Sequence, residues 1–443
     1  MTLPRYPRYK HSGVEWLGDV PDHWACSRLG ALFHEVNETG NECLPILSVS
    51  IHDGVSDKEF DEDESERKVT RSDDRSKYKV VAPGDLTYNM MRAWQGGFGT
   101  VTVHGMVSPA YIVARPLKPF STSIIELQLR TPKAVTEMKR HSRGVTDFRL
   151  RLYWDDFKNI QVAVPPEEEQ TRIQVFLDHE TAKIDALIAE QEKLIALLAE
   201  KRQATISHAV TRGLEPDAPM KDSGVAWLGE VPAHWDVRPL RHLSRIGNGS
   251  TPNRDNPAYW ADEGFPWLNS SVVNQDEVSE ADRFVTPLAL QECHLPVVMP
   301  PAVLVGITGQ GKTRGMATRL AFTATVSQHL AYIKPDEGRL LESHLLRFLE
   351  AAYDHLRTES EGAGSTKGAI TCEQLGRFRV PVPSLNEQEA ITAFLDVELD
   401  KTDKLEASSR RNVNLLKERR SALIAAAVTG QIDVRGAVVT ETP

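Results

Sequence analysis

From residue 167 onward apolar side chains recur every three or four positions: Ile173, Leu177, Ile184, Leu187, Ile188, Leu194, Ile195 and Leu198, continuing to Ile206 and Val210. That period predicts one face of a helix. Pro165-Pro166 followed by Glu167, Glu168 and Glu169 supplies the proline and the acids that a helix N-terminus favours, and Gly213 supplies a C-cap. A second run carries Ile391, Phe394, Leu395, Leu399, Leu405, Val413, Leu416, Leu423, Ile424 and Val428 before Gly430, and Ser384-Leu385-Asn386-Glu387 ahead of it fits a capping box. The first run approximates a heptad seam of Ile184, Leu187, Leu194 and Leu198 interrupted by Gln191, while the second places Thr402, Ser409 and Asn412 in corresponding positions. Two long helices that each carry an apolar stripe most simply pack on each other. About 40 residues at ~1.5 Å each make a rod of roughly 60 Å.

These runs are copies. Val162 to Asp178 returns from Val380 with Pro383, Glu387-Gln388, Ile391 and Phe394-Leu395-Asp396, and the match continues without a gap to Ala209-Val210-Thr211 and Ala427-Val428-Thr429. Preserved length with drifting sequence marks spacing as the property in use. A second pair precedes each run: Ser12-Gly-Val-Glu-Trp-Leu-Gly-Asp-Val-Pro-Asp-His-Trp24 recurs as Ser223-Gly-Val-Ala-Trp-Leu-Gly-Glu-Val-Pro-Ala-His-Trp235. A period of this size exceeds the roughly 20 to 50 residues of solenoid repeats, so the pattern predicts a duplicated domain pair. The expected organisation is a first domain over 1–160, a repeated helix over 161–214, a second domain over 215–380, its helix over 381–432 and a tail over 433–443. Such a chain can adopt an approximate two-fold axis and read two half-sites on a two-fold partner.

The blocks between the repeats, about 25–160 and 236–380, read as α+β. Strands are expected at Gly84 to Tyr88, Thr100 to Val103, Ala110 to Ala114 and Val303 to Val305, and a helix at Leu341 to His355. In each block a strand runs into a glycine-dense loop, Gln95 to Gly99 and Gly306 to Gly315. The second loop contains Gly306-Ile-Thr-Gly-Gln-Gly311-Lys312-Thr313, which fits the phosphate-cradling P-loop pattern and raises the alternative of a P-loop NTPase with a helical regulatory arm. Arg314-Gly315 is a poor start for the required helix, no convincing acidic magnesium ligand follows, and the first loop lacks the lysine signature. Asn256-Pro257-Ala258-Tyr259 lies one residue from the amine-orienting motif of adenine methyltransferases, but no glycine-rich cofactor loop accompanies it, so turn chemistry explains it better. The histidines, serines and carboxylates form no recognisable catalytic constellation. With backbone exposed and Gln310, Lys312 and Arg314 projecting, the second loop suits contact with DNA phosphates or base edges; Arg92, Trp94 and Gln95 stand in the first.

Composition narrows the classes. The chain has 443 residues, 40% of them hydrophobic and 26% charged, as in soluble globular proteins with two to four domains. Cys26, Cys43, Cys293 and Cys372 show neither metal-ligand nor disulfide spacing, which fits a reducing cytoplasm. No apolar leader opens the sequence and no run approaches 18 apolar residues, so secretion and membrane spanning are not expected. The net charge of −10 opposes a simple nucleic-acid binder. Its distribution is uneven: bases outnumber acids between Arg115 and Lys158, Arg149 among them, Gly306 to Lys334 contains no acid, and Asp57 to Glu66 is acid-rich. Each half could therefore present one locally positive face.

The whole chain resembles the specificity subunit of type I restriction-modification enzymes. The resemblance is carried by the two repeated segments, by Pro83-Gly-Asp-Leu-Thr-Tyr-Asn-Met-Met-Arg-Ala-Trp94, by Ser108-Pro-Ala-Tyr111, by Gly249-Ser-Thr-Pro252 with Tyr259-Trp260 and Pro266-Trp267-Leu268, and by the two Glu-Gln-x-x-Ile helix openings. It implies an α+β architecture of two target-recognition domains joined by two long antiparallel helices, each domain reading half of a split DNA sequence. It implies a non-catalytic subunit that docks two methyltransferase subunits and, through them, two restriction-translocase subunits. No cofactor is expected on this chain; S-adenosylmethionine, ATP and Mg2+ would belong to the partners. The residues expected to approach DNA are Arg92, Trp94, Gln95, Asn269, Ser270, Gln310, Lys312 and Arg314.

Overall fold

A computed structural model describes residues 4–40, 43–51, 54–57, 75–144, 150–309, 311–361 and 368–437, with the side chains of 359–361 left aside. The chain forms two compact units: unit one comprises Met1–Gln191 with Arg411–Pro443, and unit two comprises Glu192–Arg410. Each unit therefore takes half of each long helix.

In unit one the repeated segment folds as strands β1 (Tyr9–His11) and β2 (Asp19–Pro21), paired antiparallel around a turn with positive φ at Gly13 and Gly18. Strand β3 (Ala25–Arg28) then pairs with β8 (Gln161–Val164) and closes the intervening block at its base. Inside that block, β4 (Phe33–Val36), β5 (Leu86–Asn89), β6 (Phe98–Thr100) and β7 (Tyr111–Pro116) form an antiparallel sheet in the order β4-β7-β5-β6. Helices α1 (Thr122–Leu129) and α2 (Pro132–His141) follow. Gln128 of α1 satisfies both backbone groups of Ala163 in β8, at 2.5 and 3.1 Å, and so ties helix to base.

Unit two repeats the plan. Strands β9 (Met220–Asp222) and β10 (Glu230–Pro232) form the paired segment, and β11 (Asp236–Pro239) with β16 (Arg379–Val382) closes the block. Its sheet has the order β12 (Ser244–Asn248), β15 (Leu330–Pro335), β13 (Val303–Gly306), β14 (Ala317–Leu320), with a short strand at Glu277–Val278 added beside β14. The shared strand order is direct structural evidence of duplication. One helix was expected over Leu341 to His355; two form, α4 (Glu342–Ala351) and α5 (Tyr353–Glu361), because Ala352 leaves helical geometry at ψ 1°. The strand expected at Thr100 to Val103 ends at Thr100, the last residue paired with β5. A short helix, α6 (Cys372–Arg377), precedes β16.

The long helices are α3 (Glu167–Arg212), of 46 residues, and α7 (Leu385–Val428), of 44. At ~1.5 Å per residue each is roughly 66 to 69 Å long. The expected capping box forms: Ser384 N donates to Glu387 Oε2 at 3.1 Å and Glu387 N to Ser384 Oγ at 3.4 Å. Gly213 and Gly430 both take the positive φ that ends a helix. Within unit one Arg420 bonds Asp185 at 2.8 Å while Arg172 reaches Arg435 O, so the two segments run antiparallel. In unit two Arg202 pairs with Asp403, and the end of α3 meets the start of α7 around Trp235, again antiparallel.

The packed face differs from the expected seam. Ile184, Ile188, Leu198 and Ile206 are buried, whereas Leu187 and Leu194 are 52% and 39% exposed. In α7 Thr402 and Ser409 are buried as expected, but Asn412 is exposed, as is Leu405. The cause is the doubled pattern: Leu187-Ile188, Leu194-Ile195 and Leu197-Leu198 offer two apolar faces, and in each pair the second residue is the less exposed.

At the head of each unit the repeated segment clamps a helix start to a helix end. His23 lies 2.7 Å from Glu169, which also accepts from Tyr6, and the Cα of Gly430 faces Pro21 and the Trp24 ring. In unit two His234 and Trp235 bond Glu387 at 2.7 and 3.2 Å, and Gly213 faces the Trp235 ring. A Cβ on Gly430 would lie 2.4 Å from Pro21 and one on Gly213 3.1 Å from the Trp235 ring, and both residues hold a positive φ, so a glycine ends both helices.

Candidate nucleic-acid interface

The two glycine-dense loops occupy the same place in the two sheets. In unit one the loop joins β5 to β6. Gly96 takes a φ of 91°, and a Cβ on Gly97 would lie 2.9 Å from the Arg92 carbonyl, so the turn is tight and needs glycine. Arg92 and Gln95 are exposed on it. Trp94 is half-buried; its indole donates to Met91 O at 3.1 Å, and Lys139 of α2 sits 5.5 Å from the ring centroid. A cation stacked on an aromatic face holds that ring in place.

In unit two the loop joins β13 to antiparallel β14. This contradicts the P-loop alternative, because the lysine-threonine pair of a P-loop opens a helix whose N-terminal amides hold phosphate. Here Lys312-Thr313 leads into a strand. Gly306 faces Thr313 O, 2.3 Å from where a Cβ would stand, and Gly309 takes a φ of 119°. Helix α5 latches the loop: Tyr353 donates to Lys312 O at 2.7 Å and Arg357 to Gly311 O at 2.7 Å. Neither latch residue was expected from sequence, although their i,i+4 spacing places both on one helical face.

The expected residues separate into two groups. Lys312 is exposed, and no acidic partner faces it among the described residues. Arg314, expected to project, is only 4% exposed, with its guanidinium against the Cα of Gly368. Gly368, where a Cβ would lie 1.7 Å from Nη1, leaves room for the guanidinium, so Arg314 supports the loop rather than presenting a cation. Gln310 lies outside the described residues. Asn269 caps the turn over Ser270–Asn274, accepting from Ser271 N at 2.7 Å, and Ser270 is half-buried. Through Val273 and Asn274 this turn lines the same cleft as Lys312, Tyr353 and Arg202, a cavity of about 370 Å³. Asn256 Oδ1 accepts from Ala258 N at 3.1 Å, the expected turn chemistry.

Part of the basic surplus of unit one is neutralised. Arg115 is paired with Asp85 and Glu38, Arg130 with Glu126, Arg140 with Glu137, Arg143 with Asp156 and Lys158 with Asp155. Arg149 and positions 58–66 of the acid-rich stretch lie outside the described residues. Between residues 306 and 334, Arg319 finds Glu277 and Glu342 from other segments. A surplus counted along the chain thus overstates the surplus at the surface.

Residues 232–415 match the type I restriction modification DNA specificity domain. The chain is similar to type I restriction specificity subunits. It is 24% identical over 270 residues to the MjaX specificity subunit from Methanocaldococcus jannaschii, a match covering 58% of this chain and 59% of that relative, so the chain spans little more than half the length of that protein. A chain from a solved type I R-M system superposes with a TM-score of 0.68 at 18% identity, covering 92% of this chain and 98% of its own. The HsdS subunit from Thermoanaerobacter tengcongensis gives 0.54 at 19% identity, with 93% and 98% covered. The α+β fold of two similar domains with long helices is shared with these two solved structures. Among the described residues no helix is long and apolar enough to cross a membrane, and no cluster of His, Cys, Asp or Glu could hold a metal ion.

Proposed function

We propose that this chain is the non-catalytic DNA-reading subunit of a type I restriction-modification complex, binding a bipartite target and directing methyltransferase and endonuclease subunits to it. The observation that carries the reading is the pair of sheets that share one order over four strands, each presenting a glycine-built loop with exposed polar residues. Base edges are read by polar side chains, whereas phosphate contacts fix position without carrying sequence. In this reading Arg92, Gln95 and Lys312 make such contacts, with Trp94, Asn269 and Ser270 setting the loops that present them and Arg314 supporting from within. Two methyltransferase subunits, and through them two restriction-translocase subunits, are the proposed protein partners. S-adenosylmethionine, ATP and Mg2+ act on those partners. The proposed site of action is the cytoplasm, where the DNA is.

The test is genome-wide mapping of methylated adenines in cells carrying the chain and its partner subunits. The expected result is a split motif whose unread spacer lengthens when about four residues are inserted into both long helices, with both half-sites unchanged. A continuous motif, or a spacer indifferent to the insertion, would overturn the reading.

A further inference from the structure

One group of cations lies away from the loops, at the opposite end of the unit-two sheet. Arg245 of β12 stands directly opposite Lys334 of β15 in the strand register. Arg241, just before β12, packs its Cβ 3.4 Å from where a side chain on Gly376 would begin. With His242 they line a shallow cavity of about 280 Å³ whose single acid, Asp336, is engaged by Arg339 at 3.8 Å and by Gly338 N at 3.2 Å. Among the described residues none of Arg241, Arg245 and Lys334 has an acidic partner. Like charges directly opposite one another weaken a strand pair.

Unit one shows that the fold does not require this. There Arg115 takes the place of Lys334, opposite His34, and is held by Asp85 Oδ1 and Oδ2 at 3.0 Å each and by Glu38 at 3.2 Å. The Arg241–Gly376 contact is inverted: Gly30 faces Lys158, and Lys158 is neutralised by Asp155 at 2.6 Å. Arg115 and Lys158 of unit one are thus paired, whereas Arg241, Arg245 and Lys334 of unit two have no acidic partner among the described residues.

We propose that Arg241, Arg245 and Lys334 form a phosphate-gripping surface on unit two that holds the backbone of duplex DNA without reading its sequence. The proposal rests on the DNA-recognition function given above and adds to the loops a contact that anchors rather than discriminates. A protein partner fits less well, because docking surfaces are built around an apolar centre, whereas the apolar residues here, Leu243 and Pro335, are buried. Phosphate neutralisation needs only positioned charge.

The experiment uses the full chain assembled with its methyltransferase partner and compares wild type with an Arg241→Gln, Arg245→Gln, Lys334→Gln variant on target and non-target duplexes across a salt series. Losing three phosphate contacts should lower the slope of log affinity against log salt by about 2 to 3 and weaken both duplexes ~100-fold near 0.1 M salt. The ratio between target and non-target should not move. Replacing Arg241 and Arg245 by lysine should keep the wild-type slope. Unchanged affinity and slope in the triple variant would overturn the surface, and so would loss of methyltransferase assembly with DNA binding intact. A wild-type complex that binds duplex through this surface but ignores the target would remove the recognition reading alone.

Discussion

His234 Nε2 lies 2.7 Å from Glu387 Oε1, joining the repeated segment of unit two to the first turn of its long helix. Burial pushes the Glu387 carboxyl up, but hydrogen bonds from His234, Ser384 and Trp235 outweigh it and hold its pKa at about 2. The unfolded carboxyl titrates near ~4.3, so this contribution is fully present above that pH and is lost as pH falls through about 2. Glu387→Gln should lower stability at neutral pH by about 1 kcal/mol or less, since solvent screens the half-exposed pair. Urea midpoints of the two proteins should converge between about pH 4 and 2; a constant gap would show that the carboxylate's charge is not what matters.

His344, on α4, is fully buried, and neither ring nitrogen has a hydrogen-bond partner among the described residues. Desolvation lowers its pKa from 6.5 to about 4. Above about pH 6.5 both folded and unfolded states hold it neutral, and as pH falls toward 4 only the unfolded chain takes the proton, so stability drops by up to about 3 kcal/mol. His344→Leu should remove that acid dependence while leaving stability at pH 8 equal or higher. Denaturation curves of both proteins from pH 4 to 8 check it.

Leu197 and Leu198 adjoin on α3, yet Leu198 is 6% exposed and Leu197 50%. Leu198→Ala should destabilise by about 2 to 4 kcal/mol through lost burial and the cavity left behind. Leu197→Ala should cost under about 0.5 kcal/mol. Equal effects would contradict the packed face described above.

Lys312 and Arg314 should part company in the same way. Lys312→Ala is expected to weaken DNA binding with little change in melting temperature. Arg314→Ala should instead destabilise unit two by about 2 kcal/mol or more, because it empties a buried site. Thermal melts read beside DNA titrations separate the two roles.

Local chemistry was legible where it is repeated. The helix starts at Pro165 and Ser384, the glycine stops at 213 and 430, and the twin blocks follow from residue type and spacing, because caps and periodicity act within a few residues. The resemblance to type I specificity subunits, too, was carried by the repeated segments, whose histidine and tryptophan prove to be the clamp residues. The helix seam was not: adjacent leucine and isoleucine satisfy the same period, and only the partner helix chooses between them.

By itself the sequence determined the duplication, the two long helices and the strand-to-glycine-loop units, since each is written in contiguous residues. Tertiary structure alone decided which cations remain free. Asp85 lies far along the chain from Arg115, and Arg241, Arg245 and Lys334 meet only where two strands and a turn converge. It also turned Arg314 inward and Lys312 outward, because burial is set by neighbours distant in sequence, and made the lysine-threonine pair a hairpin turn rather than a phosphate cradle.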